Sequence, residues 1–410
     1  MLFKKRFPKR ASVVIFLASN LLGVCLSVCA VRAETVLHSF VPGSGDGYHP
    51  EAGLVMDATG NLYGTTYFGG NNTHCKPDCG TVFKLSPDGT ETVLHSFGGG
   101  KDGANPIGVP VFDKLGNLYG STFAGGGCSA LTAGCGTVFK ITPSGKVTIL
   151  YRFNPTNVLL DGENPHGGVV LDATGNLYGT TQNGGAFGGG IVFKLTPAGK
   201  ETVLYNFGAI SNDGSNPLAG VILDKNGNLY GAATSGGTGN GSGTVFVVTP
   251  AGQETVLWNF GVQPGDGANP EAGLVMDTRG NLYGTTYLGG NAGCFSGGCG
   301  TVFRISPTGK ETVLYRFPKS GSNGNNPQAG LVFDAGGSLY GTTFSGGAYG
   351  GGVVFKLIPS RVVFVLWSVG GPFQGYDSQA SLIFDNQTGT LYGTTDFGGT
   401  KNGGTVFSIP

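Results

Sequence analysis

The chain has 410 residues, 79 of them Gly, with 39% hydrophobic, 11% aromatic and only 12% charged content. Glycine without a strict three-residue period excludes a collagen-like fibre, and the apolar content is enough to build a core. Lys and Arg balance Asp and Glu at 24 each, so no basic excess marks a nucleic-acid partner.

In chain order the first element is residues 1–33. Lys4, Lys5, Arg6, Lys9 and Arg10 precede about twenty apolar residues, and Val31-Arg32-Ala33 offers a small-residue cleavage site. The pattern predicts a secretory signal peptide. An uncleaved membrane anchor is the alternative, because the apolar run exceeds the usual ~7–15 residues. Cys25 and Cys29 follow Val24 and Val28, where a lipoprotein site needs a small residue, so lipidation is not expected. Past this leader 18 Lys and Arg face 24 Asp and Glu, a mildly acidic body with no further membrane segment expected.

From residue 34 onward four short motifs recur in fixed order. "ETVLHSF" and its relatives open at 34, 91, 147, 201, 254, 311 and 363; an apolar run ending in Asp ("GLVMD") follows, then Leu-Tyr-Gly, then "GTVFK" or a variant. Leu-Tyr-Gly begins at Leu62, Leu118, Leu177, Leu229, Leu282, Leu339 and Leu391, with spacings of 56, 59, 52, 53, 57 and 52. Four strand-sized runs repeated seven times at this period predict an all-β fold, a seven-bladed β-propeller of four-stranded blades over 34–410. The phase predicts how it closes. The chain begins with the last motif of a blade and finishes on "GTVFSIP", so the N-terminal strand completes the seventh blade and removes an open edge.

Turn chemistry agrees. "DATGN" supplies an Asx turn and a Gly suited to positive φ between first and second strands, and "SPDGT" sets Pro and Gly at the corners of the third-to-fourth hairpin. Tyr63, Phe83 and their counterparts are expected to pack between blades.

The combined signature "GTVFKLSPDGTETVLHSFGGGKDGANP" with "AGLVMDATGNLYGTTYFGG" closely resembles the GloVer repeat of secreted bacterial proteins, over essentially all of 34–410. The resemblance implies an extracellular propeller-like repeat protein of undefined activity. The sequence ends on the strand "GTVFSIP" rather than on the family's usual C-terminal sorting signal, so surface anchoring by such a signal is not expected. A looser likeness links the blades to NHL-type and streptogramin-lyase-type propellers.

Two rings of positions carry candidate chemistry. After each fourth strand comes an Asp-Gly turn, placing Asp46, Asp102, Asp161, Asp213 and Asp266 in a ring completed by Asn323 and Gln374. Carboxylates so arranged offer weak Ca²⁺ candidates; alternatively each caps its own turn. Where the innermost strand enters the central channel, corresponding positions hold Glu51, Ile107, His166, Leu218, Glu271, Gln328 and Gln379. A position needed only for packing tends to keep one residue type. This ring mixes acids, amides and an imidazole, so Glu51, His166, Glu271, Gln328 and Gln379 are the expected ligand-binding residues.

Catalysis would require His166 as base, but no Gly-x-Ser-x-Gly, His-Glu-x-x-His or phosphate loop accompanies it. His38 and His95 stand where other copies have Tyr. Cys75/Cys79, Cys128/Cys135 and Cys294/Cys299 each fall in one second-to-third-strand loop, and export makes them three expected disulfides rather than a zinc site. The expected function is a monomeric, secreted or extracytoplasmic binding module for a glycan or an extracellular protein, without cofactor. A propeller enzyme, a polysaccharide lyase or lactone hydrolase working at the channel mouth, is the alternative.

Overall fold

The computed structural model describes residues 34–72, 75, 79–127, 135–154, 161–294, 297–371 and 374–410. The expected leader, His74 and Cys128 lie outside them. Among the described residues every regular element is a strand.

Seven four-stranded antiparallel sheets follow one another around an axis. Blade 1 runs from an innermost strand Val55–Met56 through Leu62–Thr66 and Thr81–Leu85 to an outermost strand Glu91–Ser96. Blades 2 to 6 repeat this order. Blade 7 takes three strands from the chain's last residues, Ile383–Asp385, Thr390–Thr395 and Thr405–Ile409, and its fourth, Thr35–Ser39, from the beginning. Thr35 pairs with Ser408 and Ser39 with Thr405, so the ring closes as the repeat phase requires.

The repeated letters have direct steric causes. The fully buried Phe83 of the third strand meets Phe40 of the preceding blade edge to face at 5.2 Å, and the same pairing recurs at 4.9 to 5.4 Å for Phe97–Phe139, Phe153–Phe193, Phe207–Phe246, Phe260–Phe303 and Phe317–Phe355. Such pairs stabilise beyond their buried area. Gly64 of Leu-Tyr-Gly makes room for the ring: a Cβ there would lie 2.7 Å from the tip of Phe83, and its six counterparts meet their own Phe at 2.5 to 2.8 Å. Tyr63 bridges blades as expected, edge-on to Phe112 of blade 2 at 4.9 Å.

The "D-x-x-G-N-L-Y" rhythm is one hydrogen-bonded turn. Asp57 Oδ1 accepts from the Thr59 and Asn61 backbone N–H groups, while Oδ2 accepts from Asn61 Nδ2 at 2.7 Å and the Tyr63 hydroxyl at 3.0 Å. Its job is structural. Threonines of the second strand then tie blades together: Thr180 Oγ1 donates to Ala219 O at 2.8 Å, Thr285 to Ala329 O at 3.0 Å, and Thr394 to Ala52 O at 3.1 Å across the closure.

The loops after each fourth strand and those between second and third strands share one face. Two-residue ribbons stitch them together, Gly47–Tyr48 against Phe68–Gly69 in blade 1, with four more like it and single bridges Ala104–Ala124 and Asn325–Ser345 in blades 2 and 6. On this face the disulfides Cys75–Cys79 and Cys294–Cys299 are closed, with Cα atoms 5.8 and 4.9 Å apart. Of the third expected pair, Cys128–Cys135, only Cys135 is described; it is buried just before the third strand of blade 2, Thr137–Ile141, at the place Cys79 and Cys299 hold in blades 1 and 5.

Candidate ligand site at the channel mouth

Each blade delivers its ring residue by the same device. Two residues before it the backbone is left-handed, at Asn105, Asn164, Asn216, Asn269 and Asn326 with φ between 54° and 58°, at His49 with φ 58° and at Asp377 with φ 58°. Asn tolerates this region because its short amide bonds locally. Here the amide bonds onward to the preceding blade: Asn105 Nδ2 donates to Tyr67 O at 3.0 Å, Asn164 to Phe123 O at 3.0 Å, and Asn326 to Tyr287 O at 2.9 Å. The following residue is Pro in six blades and Ser378 in blade 7, which stiffens the chain just before it turns into the channel.

All seven predicted ring residues, Glu51, Ile107, His166, Leu218, Glu271, Gln328 and Gln379, line one axial cavity of about 270 Å³. Below them its wall is small, built from Ala-Gly pairs such as Ala52-Gly53 and Ala272-Gly273. Gln328 Nε2 donates to Glu271 Oε2 at 2.9 Å, while Gln328 Oε1 is buried with no partner among the described residues. That orphaned acceptor has a cost unless something bonds to it.

His166 Nδ1 lies 2.9 Å from Leu218 O, and a carbonyl only accepts, so Nδ1 carries the hydrogen. Burial pushes the His166 pKa down, against the opposing pull of that carbonyl, so the neutral ring leaves Nε2 as an acceptor. Burial and then the neighbouring Asp396 push Glu51 up to about 8, which makes it a hydrogen-bond donor at neutral pH. Glu271 is raised by burial, with the Gln328 amide pulling the other way. The mouth therefore combines hydrogen-bond donors and acceptors, with the Glu51 carboxyl protonated at neutral pH.

A second ring, not anticipated from the sequence, supports the first. Tyr67, Phe123, Gln182, Thr234, Tyr287, Phe344 and Asp396 stand just past the ends of the second strands. Phe123 stands edge-on to His166 at 6.1 Å, Thr234 Oγ1 donates to Pro270 O at 3.2 Å, and Asp396, 4% exposed, meets His49 Nδ1 at 2.9 Å. Burial and the nearby carboxyls of Glu51 and Glu271 raise the phenols of Tyr67 and Tyr287. The signal that exposed the first ring, one repeat position holding different residue types, was present here too.

None of the Asp-Gly carboxylates lines the cavity; each is bound within its own loop, and Asp46, Asp102, Asp161 and Asp213 bond a fourth-strand side chain as well. Asp102 Oδ2 accepts from Gly98 N at 2.8 Å and meets His95 Nε2 at 3.1 Å; Asp161 and Asp213 Oδ2 each take a Tyr hydroxyl at 3.0 Å. Asp46 bonds His38 likewise, and Asp266 takes Gly267 N at 2.7 Å. Among the described residues no three His, Cys, Asp or Glu side chains cluster as metal ligands. Two of the three expected disulfides, Cys75–Cys79 and Cys294–Cys299, are bonded as pairs; the Cys128–Cys135 pairing falls outside the described residues, because Cys128 does.

The Gloeobacter/Verrucomicrobia repeat model matches residues 18–241, 128–332 and 240–410. The chain belongs to this repeat family. No curated protein matches the sequence. Among solved structures, streptogramin B lyase superposes with a TM-score of 0.59 at 14% identity, covering 92% of this chain and 97% of that one. The extracellular domain of a putative hybrid two-component system from B. thetaiotaomicron gives 0.57 at 12% identity, covering 92% of this chain and 39% of that domain's chain. PorZ, a surface component of the type-IX secretion system of Porphyromonas gingivalis, gives 0.53 at 15% identity over 90% of this chain and 47% of its own. At such identities the likeness establishes the propeller fold that the Gloeobacter/Verrucomicrobia repeats build in this chain.

Proposed function

We propose that this repeat protein is an extracytoplasmic, non-enzymatic binding module that holds the end or branch of a neutral glycan at its channel mouth. One observation carries the reading: seven symmetry-related positions converge on one cavity of about 270 Å³, and five of them hold polar groups of three different kinds, carboxyl, amide and imidazole. A protonated Glu51, an acceptor at His166 Nε2 and the unpaired Gln328 Oε1 complement sugar hydroxyls, which donate and accept without charge. The volume lies near the lower limit of ligand pockets, ~300 Å³, and so suits one sugar unit better than a buried chain. The leader-like N-terminus, the closed disulfides and the extracellular or surface proteins among its structural neighbours support a place outside the cytoplasm.

The ring itself supplies a well-tolerated substitution, because Ile107 and Leu218 already occupy two of its positions. His166→Leu and Glu271→Leu are therefore expected to keep the melting temperature while weakening binding to array-selected glycans at least ~10-fold, about 1.4 kcal/mol. Unchanged binding in both variants contradicts the reading. A second reading, lyase or lactone-hydrolase chemistry, is favoured by one feature, the carboxyl of Glu51 held protonated near neutral pH as a general acid requires. Consumption of the bound glycan, abolished in Glu51→Gln, would select it.

A further inference from the structure

The face opposite the channel mouth carries the short turns inside each blade. Between blades 5 and 6 these turns enclose a separate cavity of about 190 Å³. Leu314, Leu339, Leu357 and Pro359 supply an apolar part of a lining that is otherwise polar, while Arg304 and Arg361 point the chemistry to anions; no carboxylate is among its lining residues.

Both arginines depart from the repeat. Blades 1, 2, 3 and 6 place a Lys over the Leu-Tyr-Gly tyrosine, with Nζ 4.9 to 6.0 Å from the ring centre, whereas blade 5 has Arg304 beside Tyr283. Arg304 Nη2 reaches Thr312 Oγ1 at 3.4 Å, and its Nε is buried with no partner among the described residues. Arg361 stands at the left-handed corner of the third-to-fourth turn, φ 65°, where Gly89, Gly145, Gly199, Gly252 and Gly309 have φ between 78° and 84°. A long side chain in that region is strained, and strain retained against an available Gly points to a use. The nearest acids of these turns are engaged elsewhere. Asp277 accepts from Asn281 Nδ2 at 2.8 Å and the Tyr283 hydroxyl at 3.1 Å, and Asp334 pairs with Lys356 at 3.2 Å.

We propose that this cavity is a second ligand site, selective for an oxyanion on a compact body, with the carboxylate of an acidic sugar as the occupant its size and mixed polar and apolar lining fit. Two guanidinium groups give charge-assisted, directional hydrogen bonds to carboxylate, sulfate or phosphate oxygens, and the leucines and Pro359 cover the uncharged part. The site is independent of the channel mouth and of the function proposed for it.

The test is calorimetric titration of the purified protein with glucuronate, glucose, inorganic sulfate and inorganic phosphate. Arg361→Gly and Arg304→Lys each restore the residue that other blades use, so neither threatens folding. Saturable glucuronate binding, absent for glucose and weakened at least ~10-fold in both variants, supports an acidic-sugar site. Equal binding of sulfate or phosphate supports the same oxyanion site with an inorganic ion as occupant. Lack of saturable binding by every anion, or binding unchanged in both variants, overturns the proposal.

Discussion

Asp102 holds its loop through Gly98 N and its fourth strand through His95, while Asp161 and Asp213 do the same work with Tyr151 and Tyr205. The imidazole at His95 is thus an alternative donor at a tyrosine position. His95→Tyr should leave stability within ~0.5 kcal/mol, while His95→Ala, which strips the carboxylate of its side-chain donor, should cost about 1 kcal/mol in urea denaturation. An equal loss in both would contradict the pairing. The sequence showed that His38 and His95 replace Tyr but not why, because their partner aspartates stand seven or eight residues away in loops whose course is set by the ribbons stitching them to the next blade. The contact between His49 and Asp396, 347 residues apart, depends on ring closure and on two side-chain rotamers, and only the first was legible.

Within a blade, the letters that repeat most faithfully are those fixed by backbone sterics. Gly64→Ala would place its methyl 2.7 Å from the ring tip of Phe83 and dislodge the buried pair with Phe40. A destabilisation of about 1–3 kcal/mol is expected, measurable as a lowered urea midpoint with unchanged m-value. No loss would remove the steric reason for glycine in Leu-Tyr-Gly. Strand order, turn positions and the inner ring could be read from the repeat because periodicity alone assigns them. The second ring, Tyr67 to Asp396, is equally periodic, but its contact with the first, as of Phe123 with His166, depends on the short innermost strand and the Asn-Pro step that bring the two together. The hydroxyl of Tyr63, expected only to pack, also closes the Asp57 turn, a bond set by the register between first and second strands.

Over the whole molecule, acid groups of two kinds set the response to pH. Glu34, Glu91, Glu201, Glu254 and Glu311 are pushed by burial to about 7, and Glu51 to about 8, from an ordinary 4.5. A raised folded value means the folded protein binds more protons than the unfolded chain, so this stabilisation is full below 4.5 and is lost as pH rises through 7 to 8. Turn aspartates act oppositely. Burial alone would raise Asp57 and Asp172, yet hydrogen bonds from Asn and Thr hold both well below 3.8, so their contribution is lost only in stronger acid. The melting temperature should therefore fall from pH 5 to pH 8, and part of that fall should vanish in Glu51→Gln; a melting temperature that rises across this range contradicts the burial of these carboxyls. The ring's closure was legible at this scale because the repeat is cut mid-blade, whereas the protonation of Glu51 depends on a burial depth no repeat encodes. The most direct measurement is a crystal structure of the protein with an array-selected glycan. A sugar unit is expected in the axial cavity, within hydrogen-bond distance of Glu51, His166 Nε2 and Gln328 Oε1; an empty channel with the glycan bound along the outer strands would contradict a binding site at the mouth.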